Sequence, residues 1–291
     1  MNEELNQFLK SQNIKIISIL KEHNFSVGKG NYIVELSDQK FLLKVFSGFK
    51  RKYLRNEINI RDILVKNNFP NVSTGFLNET DTFTYLFIPY IENQGNLVGK
   101  EVAFIEDILN LIEKFHSLPI NDFKNFRTYH LFVNDSFNKN KYPYTYGILT
   151  SMDLATIRTY FDNLRKSYGS YGLIVSHNDF DGDNLLLSKS GDLILTDFEK
   201  CSLNNPLEDL SKLYFFNSIL SGIFCEDNLL YQHFINLPWV KKNDFDAFVL
   251  YQAVRFNEFT NAHKEDLNHC GSIKKAQENF IELIRSYSKS S

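Results

Sequence analysis

The chain has 291 residues, 43% of them apolar, which is ample for a packed core and leaves room for one large domain or two lobes. A net charge of −3 leaves no basic footprint for nucleic acid, and no run of 18 apolar residues is present to span a membrane. Cys201, Cys225 and Cys270 are odd in number and irregularly spaced, which fits neither a disulfide framework nor a zinc site. The polar, acidic N-terminus has no signal-peptide character, so the expected compartment is cytoplasmic.

The first ninety residues read mostly as strand. Lys15–Lys21, Asn31–Leu36 and Phe41–Phe46 are β-rich, and the last two are joined by the polar turn Ser37–Lys40. A helix follows over Lys50–Asn67, with Leu54, Ile58 and Val65 on its apolar face. The basic run Lys50, Arg51, Lys52 and Arg55 reads as its solvated face. Thr82–Pro89 is another strand.

Beyond Tyr90 the pattern turns helical. Helices are predicted over Val102–His116 and Met152–Tyr168, with an irregular Asn-, Phe- and Tyr-rich stretch, Leu118–Thr150, between them. Short β-runs at Leu185–Leu187 and Leu193–Thr196 flank a Ser190-Gly191 turn. Three more helices follow near Pro206–Ser221, Asp244–Asn261 and Ser272–Tyr287, the first with Asn205 as N-cap and Pro206 in its first turn. The reading is α+β, with a strand-rich lobe over 1–91 and a mainly helical lobe over 92–291. A ligand is expected in the cleft between them.

The chemistry concentrates in His177-Asn178-Asp179-Phe180-Asp181-Gly182-Asp183-Asn184, followed by Thr196-Asp197-Phe198-Glu199. Phosphoryl transfer needs a carboxylate to accept the proton of the attacking hydroxyl, oxygen ligands for a metal and a cation for the phosphates. Asp179 is placed to be the base. Asn184, in the same loop, and Asp197, after a hairpin, are placed to reach one Mg²⁺ from two sides.

The segment Ser176–Leu213 resembles the catalytic core of the aminoglycoside phosphotransferase and choline/ethanolamine kinase superfamily, relatives of protein kinases. The matching residues are His177, Asp179, Asn184, Asp197 and Asn205-Pro206-Leu207-Glu208-Asp209-Leu210. The resemblance implies a bilobal protein-kinase-like fold with a small antiparallel-sheet lobe carrying one main helix. It implies Asp179 as catalytic base, Asn184 and Asp197 as Mg²⁺ ligands, and Asp209 as a brace for the loop. His177 and His116 are read as structural. The form His-Asn-Asp, with Asp-Phe-Glu and Asn-x-Pro-x-x-Asp-Leu, is similar to choline-kinase-like members in particular.

The N-terminal lobe supplies the remaining parts. Lys44 lies in an apolar strand, and Glu57 on the next helix faces inward, so that a Lys44–Glu57 pair would hold the lysine toward ATP phosphates. A surface glutamate paired with Arg61 is the plainer alternative. Gly28, Gly30 and Asn31 occupy the position of a phosphate loop, or of an ordinary hairpin turn, and the third glycine of the protein-kinase pattern is absent. Phe87–Ile91 is either the hinge, with Ile88 and Tyr90 beside an adenine, or a strand running into a proline-marked loop.

The implied activity is ATP- and Mg²⁺-dependent transfer of a phosphoryl group to a hydroxyl of a small, cationic molecule, with an amino alcohol favoured and an aminoglycoside or other sugar as the alternative. Glu226, Asp227, Asp244, Asp246, Glu258, Glu265 and Asp266, set among aromatics, are available to such a substrate, or the aromatics are core stripes. A protein kinase is disfavoured because only Lys200–Asn204 separates Asp-Phe-Glu from the Asn-Pro helix, and a silent module because the catalytic set is intact.

Overall fold

A computed structural model describes residues 3–22, 29–124, 126, 139–167, 170–263 and 271–289. In chain order the elements are α1 (Glu3–Ser11), β1 (Lys15–Glu22), β2 (Lys29–Leu36), β3 (Gln39–Ser47), α2 (Arg51–Lys66), β4 (Phe76–Glu79), β5 (Phe83–Pro89) and β6 (Asn93–Asn96). There follow α3 (Ile105–His116), α4 (Pro143–Ile148), α5 (Ser151–Ser167), β7 (Ile174–Ser176), β8 (Leu185–Ser188), β9 (Leu193–Leu195) and β10 (Ser202–Asn204). The chain ends in α6 (Leu207–Ser221), α7 (Leu229–Ile235), α8 (Lys242–Ala262) and α9 (Gly271–Lys289). No helix among the described residues is long and apolar enough to cross a membrane.

The chain divides into two compact units. The first comprises Met1–Gly95 with Leu186–Cys201, and the second Asn96–Leu185 with Ser202–Ser291. The first is built on an antiparallel sheet of order β1-β2-β3-β5-β4. Ser37 and Asp38 link β2 to β3 with φ of 51° and 62°, and two successive positive values define the turn whose twist matches a hairpin.

Strand alternation decides what each face of this sheet carries. Leu43 and Val45 of β3 and Phe83, Tyr85 and Phe87 of β5 join Leu5, Phe8 and Leu9 of α1 in one core. Phe46, Leu86 and Ile88 face the other way, onto Leu54 of α2. Lys44 shares the parity of Leu42 and Phe46, and so lies on the α2 face. The buried stripe of α2 is Leu54, Glu57, Ile60, Arg61 and Leu64. The expected face is corrected here, because Val65 is exposed and two charged residues sit in the stripe. The basic face is exposed at Lys52 and Arg55, as expected, but two of its residues are also engaged. Arg51 donates to the Thr80 and Asp81 carbonyls at 2.8 Å each and to Thr84 Oγ1 at 3.0 Å, and Arg55 grips Glu79, so both anchor α2 to the β4–β5 hairpin.

The second unit packs α6, α8, α5, α3 and α9 around a core in which α6 is buried on nearly every side. β7 and β10 pair antiparallel, Val175 opposite Leu203. Asn205 Oδ1 accepts from the Leu207 N–H at 2.9 Å, which caps α6. Within the stretch read as irregular, α4 is helical, and the Thr145 N–H donates to Glu258 Oε1 at 2.7 Å. Cys201 and Cys225 are buried thiols, and Cys270 lies outside the described residues.

Helix α1 was not legible as an element in the polar N-terminus, yet Phe8 stacks on Tyr85 with centroids 3.8 Å apart and planes 10° from parallel. Phe8→Ala is expected to cost about 3–5 kcal/mol of stability, as for other buried aromatics truncated to alanine. Urea unfolding of the two proteins under identical conditions measures the difference.

Candidate active site

In the first unit the site is organised by a buried cation. Lys44 is 5% exposed, and its Nζ donates to Glu57 Oε2 and to Asp197 Oδ1, both at 2.6 Å. Burial alone pushes the ammonium's pKa down, but the charges of Asp197, Glu57 and Glu199 overcome it and hold the group well above its ordinary value. Glu57 is fully buried and also accepts from Arg61, Nη2 to Oε1 being 3.0 Å. Glu57 is therefore not a surface residue, and its carboxylate is divided: one oxygen serves the lysine and the other the arginine one helical turn on.

Asp197 follows β9 in the left-handed region, φ 62° and ψ 57°. A non-glycine residue pays conformational energy there, and such strain persists where surrounding structure over-determines it. That structure is the turn Phe198–Lys200, which packs on α2. Phe198 is buried beneath the Arg61 guanidinium, 5.1 Å from the ring centroid, and Asn56 Nδ2 donates to the Glu199 carbonyl at 2.9 Å. The turn also buries Glu199, the last residue of the Asp-Phe-Glu motif, to which the sequence assigns no role of its own. Single carboxylate oxygens of Glu57, Asp197 and Glu199 lie within 4.8 Å of one another, a set of hard donors suited to a small divalent cation such as Mg²⁺.

The nucleotide-side residues fall as follows. Gly28 lies outside the described residues. Gly30 is in β2 opposite Val45, and a Cβ there would meet the Tyr32 phenol oxygen at 2.6 Å, so the core side of the strand itself demands a glycine. Asn31 is opposite Lys44, and its Oδ1 is buried without a hydrogen-bond partner among the described residues. An orphaned acceptor one strand from the lysine suits a bound polar group. Ile88 is buried in β5 opposite Leu42, and the Tyr90 N–H donates to the Lys40 carbonyl at 3.0 Å.

In the second unit the loop between β7 and β8 is held by one carboxylate. Asp209 is fully buried on the first turn of α6. Its Oδ1 accepts from Ser176 Oγ at 3.0 Å and the Asn178 N–H at 2.8 Å, and its Oδ2 from the His177 N–H and His116 Nε2, each at 3.0 Å. Burial drives the carboxyl pKa up, but His116 and the converging donors reverse this and hold it below the ordinary value. His177 is fully buried and edge-on to Phe115 and Phe180, both at 5.9 Å. Asn178, at φ 60°, has its carboxamide bonded to Ser202 Oγ and Asn204 Nδ2 of β10.

With the loop so fixed, Asp179 is 9% exposed and paired with Lys212 of α6. Asn184 Nδ2 donates to the Asp179 carbonyl at 2.8 Å, which fixes the side chain within the loop. Asp181 accepts from the Asp183 and Asn184 N–H groups, and its pKa is pushed up to about 7, chiefly by burial and then by Asp179. Lys212 was missed by sequence reasoning. The available signal was a lysine three residues beyond Asp209 on an otherwise apolar helix, hence on the same face.

The acidic residues set aside for a cationic substrate are largely engaged elsewhere. Asp244 accepts from Ser167 Oγ and Tyr171 OH, and Asp246 from Tyr231 OH at 2.7 Å and Lys242 Nζ at 3.2 Å. Burial lifts the Asp246 pKa to about 6. Glu265 and Asp266 lie outside the described residues.

Comparison with known proteins gives a match to the model of the phosphotransferase enzyme family over residues 23–239. An uncharacterized protein of Metamycoplasma hominis is 30% identical over 128 residues, 42% of this chain and 24% of that protein, so the match spans about a quarter of the curated relative. Among solved structures, a thermostable mutant of aminoglycoside phosphotransferase APH(4)-Ia, in ternary complex with ADP and hygromycin B, aligns with TM-score 0.67 at 12% identity, covering 97% of each chain. The choline kinase LicA of Streptococcus pneumoniae aligns with TM-score 0.62 at 15% identity, covering 99% of each chain. These likenesses establish an α+β, kinase-like fold.

The Asp209 assembly yields a stability prediction. Asp209→Ala strands four donors, two buried and two partly buried, and is expected to cost about 3–5 kcal/mol near neutral pH. Because the folded-state pKa of Asp209 is lowered, its contribution is fully present above the ordinary carboxylate range and is lost as pH falls through the folded value. Denaturant unfolding of both proteins from pH 7 to pH 4 is expected to show the gap narrowing only at the acidic end.

Proposed function

The chain belongs to the phosphotransferase enzyme family, and on that footing we propose that it transfers the γ-phosphoryl group of ATP to a hydroxyl of a small molecule. The observation that carries the reading is Asp179, a nearly buried carboxylate on a loop whose backbone N–H groups are tied to Asp209. Asp179 accepts the proton as the acceptor oxygen attacks. Lys44, kept charged by its carboxylate partners, holds the phosphates, and Asn31, Gly30, Gly28, Ile88 and Tyr90 make up the rest of the nucleotide side.

In this reading Asp197 and Asn184 would be Mg²⁺ ligands, with Glu199 as a further carboxylate beside Asp197; the clustered carboxylate oxygens of the first unit support the choice of a hard divalent cation. Bound there, the ion would neutralise phosphate charge. The protein's own part is to position these oxygens. The strained backbone of Asp197 and the Asn184–Asp179 carbonyl bond both support that role.

An amino alcohol is the favoured acceptor. The His-Asn-Asp, Asp-Phe-Glu and Asn-x-Pro-x-x-Asp-Leu forms support it, as does similarity to a choline kinase. The similarity to an aminoglycoside phosphotransferase keeps an aminoglycoside or other sugar as the second reading. Release of ADP from purified protein with choline, ethanolamine, aminoglycosides and simple sugars separates the two. A signal confined to sugars overturns the first.

Asp179→Ala is expected to keep Mg·ATP affinity while turnover falls by about 10²–10⁴-fold, the range for a lost general base. Near wild-type turnover would remove Asp179 from the mechanism. Asp197→Asn preserves an acceptor for Lys44, so it is expected to weaken ATP binding in Mg²⁺ and leave binding in EDTA nearly unchanged. Equal losses in titration calorimetry under both conditions would contradict a metal role.

A further inference from the structure

We infer that Lys212 is a catalytic residue whose ammonium meets the phosphoryl group as it passes to the acceptor oxygen at Asp179. The inference rests on the phosphotransfer reading above. Lys212 Nζ pairs with Asp179 Oδ1, donates to the Asn178 carbonyl at 3.3 Å, and stands 5.8 Å from the Phe216 ring centroid. Its side chain is 14% exposed. A lysine on a buried helix ordinarily extends its stem and places the charge in water. This one turns its charge onto the base.

Bracing the loop does not account for that. Asp209 already takes the Ser176, His177 and Asn178 donors, and the Asn178 side chain is bonded to β10. Against these, the backbone contact of Lys212, a 3.3 Å bond to the Asn178 carbonyl, is a minor addition to the bracing. What the lysine adds is a positive charge at the atom where the reaction takes place. An ammonium also lies on the acceptor side of the chemistry, where a second cation is not needed to bind a cationic substrate.

The chemistry uses such a charge. The acceptor O–H gives its proton to Asp179, its oxygen forms a bond to the γ-phosphorus, and the bond from that phosphorus to the bridging oxygen breaks with its electron pair leaving on ADP. Lys212 keeps its own proton throughout. The attacked oxygen must lie about 2.6–3.2 Å from the Asp179 carboxylate. An ammonium hydrogen-bonded to that carboxylate is therefore next to the attacked oxygen, and the proposal has it meet the non-bridging oxygens of the group being transferred. A preorganised charge at this point stabilises the transition state more than the ground state.

The test needs no knowledge of the acceptor. Full-length wild type, K212M and K212R are compared for affinity to Mg·ADP alone and to Mg·ADP with aluminium fluoride, which imitates the phosphoryl group in flight, and melting curves verify folding. Wild type is expected to bind the fluoride complex more tightly. K212M should lose about 10²-fold of that tightening, the scale for one lost transition-state donor, with Mg·ADP affinity alone little changed. K212R should keep most of it. Should K212M fail to fold, K212Q keeps a donor to Asp179 without the charge and makes the same discrimination. Full tightening in the uncharged variant overturns the role of Lys212 and leaves the phosphotransfer reading standing. Parallel loss of both affinities makes the residue structural and also overturns it. No tightening in wild type overturns the phosphotransfer reading itself.

Discussion

A charge withdrawn from water must be met by opposite charge or by hydrogen bonds, and each unit of this protein is organised around one such charge. In the second unit it is the Asp209 carboxylate, wholly buried, with four donors converging on two oxygens. Those donors come from the end of α3, from the last residue of β7 and from the following loop. Satisfying one side chain therefore fixes three segments at once. The loop that carries Asp179 has its path set by this requirement together with the burial of His177 and Phe180.

The first unit applies the same logic with the sign reversed. Lys44 sits on an otherwise apolar sheet face, and its ammonium remains charged only because α2 brings Glu57 and the β9 turn brings Asp197. Arg61 completes the chain of opposite charges and stacks on Phe198, which ties the turn back to the helix. Replacing Lys44 by an apolar residue would leave two carboxylates without their shared cation. The unit therefore cannot lose the lysine and keep the local arrangement unchanged.

Much of this was legible because it follows from local periodicity. The parity of Lys44 in its strand and the inward place of Glu57 on α2 need only the two- and 3.6-residue repeats. The less legible parts depend on contacts distant in sequence. His116 meets Asp209 across 93 residues, and nothing around either names the other. The partners of Arg51 and Arg55 are not legible because the β4–β5 hairpin that engages them comes later in the chain. Val65 was placed inward because an apolar residue was preferred to a charged one, whereas the true stripe admits Glu57 and Arg61 by pairing them. The placements of Lys212 and Glu199 are hidden for a related reason: a charged residue in or near a motif carries no pattern that says where its head group turns.

The short connection after Glu199 has a consequence for control. Ser202–Asn204 form β10, paired residue for residue with β7, and both the Ser202 hydroxyl and the Asn204 carboxamide bond to the Asn178 side chain. The chain then enters α6 through the Asn205 cap, and two residues into that helix lies Asp209. There is no slack in this path for a segment that could fold away and return. To displace β10 would break its ladder with β7 and strip partners from Asn178, the residue held at φ 60° immediately before Asp179. Such a loop is kept in one arrangement by the fold itself, which separates it physically from loops whose order must be supplied by a modification elsewhere in the chain.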